Sequence, residues 1–162
     1  MSASSYLIVL NDAPYGSEQI YNGLRLAASL ARREGLTVRV FLMGDAASAA
    51  KRNQKVPAGY YNMLNMLSAV TSRGGTVGVC GTCMEARGIA ADELAEGTHR
   101  SSLDELTDWV TTSGRVLVFR QRGSHDERTA HSGPGWRRWG NRDRQWPEQA
   151  TSCQARSRAR EP

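Results

Sequence analysis

Cys80 and Cys83 are the residues whose type and spacing best suit chemistry in this chain. They lie in Thr76-Val-Gly-Val-Cys-Gly-Thr-Cys-Met-Glu-Ala-Arg-Gly88, where a short β-branched stretch hands over to good helix formers. A cysteine is a nucleophile as its thiolate, and the unpaired N–H groups and positive dipole end of a helix start favour that form. On this reasoning Cys80 closes a strand and is the more buried thiol. Cys83, nearer the first helical turn, is expected to be the more acidic. In a reducing compartment C-x-x-C reads first as redox or sulfur chemistry and second as half of a metal site. Zinc needs four ligands in a closed site, and the spare residues are His99, which is distant, and Cys153, near the C-terminal end. The remaining alternative is that both cysteines are small buried hydrophobes. A thioredoxin-type reading fits poorly: the motif follows the third strand, and no later strand is preceded by a proline.

Asn11, Asp12 and Ser17 flank the first strand-to-helix loop, and Gly44 and Asp45 close the second strand. In a parallel sheet all five share the carboxyl edge with Cys80, which makes them candidate ligand-binding residues. Turn and capping chemistry is the alternative for each singly. The loop carries no phosphate-binding fingerprint. Arg87 follows Cys83 by one helical turn and is a candidate to hold a thiolate or anionic sulfur species by charge; a solvated or Glu-paired arginine is the alternative. His99 is a candidate proton carrier or simply an exposed loop histidine. Thiol chemistry of this kind requires neither a metal nor an organic cofactor.

The elements that must position these groups alternate along the chain. Strands are expected at Tyr6–Leu10, Leu36–Met43, Thr76–Cys80, Thr98–Arg100 and Val116–Phe119. Helices are expected from Ser17, read as an N-cap, to about Glu34, over Ala46–Arg52, over Gly59–Ser72 and, capped by Ser102, over Leu103–Thr112; Ala90–Ala95 adds a short helical piece. Tyr60 and Tyr61 are expected in the core or at an interface, and Tyr60, Tyr61 and Met63 together offer more apolar surface than one helix face needs. The pattern predicts an α/β domain with a mostly parallel sheet of about five strands, covered on both faces.

The net charge of +5 is unevenly spread. Up to Phe119 there are eleven Lys and Arg against eleven Asp and Glu; from Arg120 onward there are ten Arg against five acids. Residues 120–162 contain no Ile, Leu, Val, Met, Phe or Tyr. Such a segment buries too little apolar surface to offset its ordering entropy, so a domain is expected over 1–119 and a disordered Arg/Gly/Trp-rich tail over 120–162. Trp136, Trp139 and Trp146 among arginines have the makeup of a nucleic-acid stacking tail. Without a folded platform the plainer reading is a solvated tail, and neither nucleic acid nor membrane is expected as a partner. The first apolar run, Tyr6–Leu10, is far too short for a signal peptide core or a membrane span, and the expected location is cytoplasmic.

The ordered set of Leu7-Ile-Val-Leu10, Tyr21-Asn-Gly-Leu-Arg-Leu-Ala27, Val38-Arg-Val-Phe-Leu-Met-Gly-Asp45, Tyr60–Leu67, Cys80–Gly88, Ser102-Leu-Asp-Glu-Leu106 and Val116-Leu-Val-Phe119 resembles the DsrE/DsrF-like family, which includes the TusD-type sulfur carriers. The resemblance implies a Rossmann-like three-layer α/β/α domain that assembles into homotrimers or homohexamers. It further implies sulfur relay, in which a cysteine takes sulfur from a donor as a persulfide and passes it to an acceptor protein. Cys80, at its spacing before the glycine of Arg87-Gly88, matches the sulfur-carrying position. Cys83 departs from the single-cysteine pattern and resembles a C-x-x-C branch of the family. The resulting expectation is sulfur transfer or thiol redox chemistry through Cys80 and Cys83. The alternative is a non-catalytic oligomer that binds a small ligand or serves as a scaffold.

Overall fold

Strands and helices alternate along the chain, and their order dictates how the sheet is built. The computed structural model describes residues 4–120. Its strands are β1 (Ser4–Leu10), β2 (Leu36–Leu42), β3 (Thr76–Cys80), β4 (Thr98–Ser101) and β5 (Arg115–Phe119). They form one sheet in the order β4-β3-β2-β1-β5, and every pairing is parallel. The helices are α1 (Gln19–Leu30), α2 (Met63–Thr71), α3 (Gly81–Glu85) and α4 (Leu103–Thr112), with 3-10 segments at Gly44–Ala50 and Ala91–Glu93. The predicted α/β architecture, a five-stranded parallel sheet flanked by helices, is present. Beyond Arg120, the segment expected to form a tail lies outside the described residues.

Alternation along the strands separates two apolar layers. Ile8, Leu10, Val40, Leu42, Val77 and Val79 point to one face and are fully buried. They meet Ile20, Leu24 and Ala27 of α1 and Met63, Leu67 and Val70 of α2. Each large aliphatic side chain buried this way contributes about 1.5–3 kcal/mol. On the other face Leu7, Val9 and Phe41 pack under Trp109 of α4, whose ring stands edge-on to Phe41 at 6.1 Å between centroids. Gly78 makes room for this contact: a Cβ there would lie 3.1 Å from both Trp109 Cη2 and Ser101 Cβ. This second layer is narrower. Val116 and Val118, in register with Leu7 and Val9, remain 40% and 57% exposed.

Several helix ends differ from expectation for local reasons. The N-cap of α1 is Glu18, with no side-chain cap bond; Ser17 donates instead to Asp12 at 3.4 Å. The helix stops at Leu30, short of Glu34. α2 begins at Met63 rather than Gly59, because Asn62 caps it by accepting from the N–H groups of Leu64 and Asn65. Tyr60 therefore stands outside the helix and is 70% exposed, not core. Met63 is fully buried and offers no surface to a partner, while Tyr61 rests on the Tyr21 ring at 4.6 Å. For α4 the Ser102 cap is as expected, accepting from the Glu105 N–H.

Candidate functional site

β3 ends at Cys80, and the chain turns at once into α3. Cys80 is the N-cap of that helix and Cys83 lies within it. Met84, fully buried, and Ile89 pin α3 to the larger apolar layer, and the Ile89 N–H closes the turn on the Met84 carbonyl at 3.0 Å. The two side chains are thereby brought near each other. Cys80 Sγ lies 3.3 Å from Thr82 Oγ1, and Cys83 Sγ accepts the Gly44 N–H at 3.1 Å. Both are half-buried free thiols. They lean on different layers: Cys80 packs with the Leu7, Phe41 and Trp109 group, Cys83 with the larger core.

Their acidities run opposite to the sequence expectation. For Cys80 partial burial works against ionisation, but hydrogen bonds from the side chains and backbones of Cys83 and Thr82 outweigh it, and the thiol is held below its ordinary value. For Cys83 partial burial and the neighbouring Cys80 push the thiol up, against the smaller pull of the Gly44 N–H and the Arg87 charge. The more acidic thiol is Cys80. The reversal follows from the partners: Cys80 draws on Thr82 and Cys83, whereas Cys83 has the Cys80 thiol beside it.

Arg87 does not touch a sulfur. It donates to the Cys83 carbonyl at 2.9 Å and pairs at the surface with Asp45 of the 3-10 segment at 2.6 Å. A second pair, Arg100 with Glu85, ties β4 to the other side of α3. Asn11 reaches the site through its backbone: a Cβ on Gly44 would come 3.1 Å from the Asn11 carbonyl oxygen. The structure thus joins Cys80, Cys83, Gly44, Asn11, Asp45 and Arg87. The Ser17–Asp12 hydrogen bond belongs to the first loop and is turn chemistry.

Glu105 and Ser101 form a feature the sequence reading missed. Glu105 accepts from the buried Ser101 hydroxyl at 2.5 Å and is hydrogen-bonded to His99 Nε2 at 2.9 Å. His99 is thus a strand residue braced against α4, not a free loop histidine, and its ring also meets Trp109 edge-on. The sequence signal was Ser102-x-x-Glu105, a capping-box spacing whose Glu turns to β4 instead of back to the cap. Ser101 is the register partner of Cys80, so this brace adjoins the thiols. Among the described residues no three His, Cys, Asp or Glu side chains are grouped as a metal ion would need. A groove of about 550 Å³ between α1 and α2, lined by Arg25, Leu26, Arg32, Asn65 and Met66, lies apart from the thiols.

The DsrE/DsrF-like family matches residues 4–119. Protein YchN of Escherichia coli K12 is 43% identical over 114 residues, covering 70% of this chain and 97% of YchN. Protein MK0008 of Methanopyrus kandleri is 35% identical over 112 residues, 69% of this chain and 91% of that protein. The crystal structure of E. coli YchN superimposes with a TM-score of 0.68 at 42% identity, covering 72% of this chain and 99% of that one. A Methanobacterium thermoautotrophicum protein, MTH1491, shares the fold at 14% identity and TM-score 0.57, over 71% and 98% of the two chains. The chain belongs to the DsrE/DsrF-like family. No helix among the described residues is long and apolar enough to cross a membrane.

Proposed function

We propose that this protein is a cytoplasmic sulfur-handling protein in which Cys80 takes up sulfane sulfur. The observation that supports the reading is the placement of Cys80 and Cys83 together where β3 hands over to α3 at the carboxyl edge of the sheet, with Cys83 Sγ held by the Gly44 N–H. The Cys80 thiolate attacks the terminal sulfur of a persulfide donor R–S–SH. A Cys80 S–S bond forms, the donor S–S bond breaks, and the donor leaves as RS⁻. The persulfide then passes to an acceptor or is resolved as a disulfide. The Gly44 N–H anchors Cys83 in this geometry, and the proposed chemistry calls for no cofactor.

Self-assembly into trimers or hexamers is part of the same proposal. Tyr60, Leu103, Val116 and Val118 are large apolar side chains that this single chain leaves exposed. Light scattering of a chain ending at Phe119 is expected to give a multiple of the monomer mass, and a monomer at micromolar concentration would refute assembly.

Intact-mass spectrometry after treatment with a sulfane donor tests the chemistry. Sulfur uptake or a Cys80–Cys83 disulfide is expected in the wild type, and neither in Cys80→Ser. If no sulfur is taken up and neither thiol reacts faster than free cysteine, the chain is a scaffold or ligand-binding protein instead.

A further inference from the structure

We infer that Cys83 resolves the Cys80 persulfide, so that this site releases sulfur as hydrosulfide in preference to handing it to an acceptor protein. The inference rests on the reading of Cys80 as the sulfur acceptor and adds the fate of the sulfur. Its basis is position. Cys83 Sγ is anchored by the Gly44 N–H at 3.1 Å, and Cys83 lies near Cys80, three residues on in the helix that Cys80 caps. A disulfide requires Cα atoms within roughly 4.4–6.8 Å, and a C-x-x-C turn at a helix start can meet that. An acceptor protein would have to dock and displace a thiol already in place, and intramolecular attack by an oriented group has a large advantage over an external one.

The step balances without an added oxidant. The Cys83 thiolate attacks the inner sulfur, Cys80 Sγ; the Cys80–Cys83 bond forms; the outer S–S bond breaks; and HS⁻ leaves with the electron pair. The sulfane sulfur is reduced and the two protein thiols are oxidised to the disulfide. A low-molecular-weight dithiol then restores both thiols by exchange and is itself oxidised. The surroundings also order the two steps. The neighbouring Cys80 helps keep Cys83 protonated, whereas the Gly44 N–H and the Arg87 charge favour its thiolate. Once Cys80 has bonded to sulfur, its Sγ no longer carries the thiolate charge, and any charge on the persulfide sits one atom further out.

A single-turnover experiment with cysteine persulfide and no added reductant tests this, with released hydrosulfide measured above a protein-free blank and the protein followed by intact mass. Wild type is expected to release about one hydrosulfide per chain and end as the disulfide. Cys83→Ser is expected to retain one extra sulfur atom and to release hydrosulfide at least about tenfold more slowly. Cys83→Ala, checked by circular dichroism for the wild-type fold, must behave the same way. Release from Cys83→Ser as fast as from wild type, or a wild type that keeps the extra sulfur beside a free Cys83, overturns the inference and leaves relay intact. A wild type that neither gains sulfur nor releases hydrosulfide overturns relay and resolution together.

Discussion

The backbone N–H of Gly44 points at Cys83 Sγ across 3.1 Å, which makes a main-chain group of the second strand's exit a direct partner of the second thiol. Gly44 holds φ at +59°, a conformation that costs an L side chain about 1–2 kcal/mol. A Cβ would also crowd the Asn11 carbonyl oxygen at 3.1 Å. Together these exceed the roughly 0.4–1 kcal/mol that a Gly→Ala change gains through the unfolded chain. Gly44→Ala is expected to lower the denaturation midpoint and to raise the Cys83 thiol further, read by urea unfolding and by alkylation rate against pH.

The two thiols should separate by pH. Alkylation of Cys80 is expected to reach half its maximal rate at a lower pH than that of an ordinary thiol, and that of Cys83 at a higher pH. Peptide mapping after brief iodoacetamide treatment at neutral pH should find the label on Cys80. Thr82→Val, which removes a hydrogen bond at 3.3 Å, should move the Cys80 profile to higher pH. Preferential labelling of Cys83 would refute the assignment.

The Arg87–Asp45 pair is a surface contact, and such pairs contribute roughly 0–1 kcal/mol. Asp45→Asn should therefore barely change thermal stability. Arg87→Gln removes a positive charge that favours the Cys83 thiolate, so its main effect should be slower Cys83 alkylation near neutral pH. A large loss of stability in either variant would show that the pair holds α3 in place.

The Glu105 brace predicts an acid-side loss of stability. Partial burial opposes its ionisation, but Ser101 and His99 outweigh this and hold its carboxyl below the usual glutamate range. A depressed folded-state value stabilises the fold above the unfolded value of about 4.3, and this contribution is lost as pH falls through the lower folded value. Glu105→Gln should flatten that part of the stability profile. Urea midpoints between neutral pH and the acid limb would show it; an unchanged slope would exclude Glu105 as a contributor.

Gly78→Val should destabilise by about 1–3 kcal/mol through overpacking against Trp109 and Ser101. Near-ultraviolet circular dichroism should report the displaced Trp109, and an unaltered tryptophan signal would contradict the packing.

The strand cores were legible because buried parallel strands are apolar on both faces, as in Leu7-Ile-Val-Leu10 and Val38-Arg-Val-Phe-Leu42. The residues that met at the site were mostly legible too, since parallel topology gathers strand exits along one edge. The pairings were less so. Glu105 was visible as a capping residue, yet its partner depended on how α4 crossed β4. The acidity order of the thiols turned on whether α3 began at Gly81 or a turn later, which weak local propensities did not decide. Tyr60 looked like the start of a helix face until the Asn62 cap cut it off.

The position of β1 has a kinetic consequence. It pairs with β2 through Leu7 and Arg39, but on its other side with β5 through Leu7 and Val116, contacts far apart in sequence. Because β1 is made long before β5, it must keep one edge open until Arg115–Phe119 has been made. Closing so distant a pairing is slow, and an open strand edge invites pairing between chains. A chain lacking Arg115–Phe119 leaves that edge permanently open and is expected to aggregate during refolding, with the loss growing steeply with protein concentration.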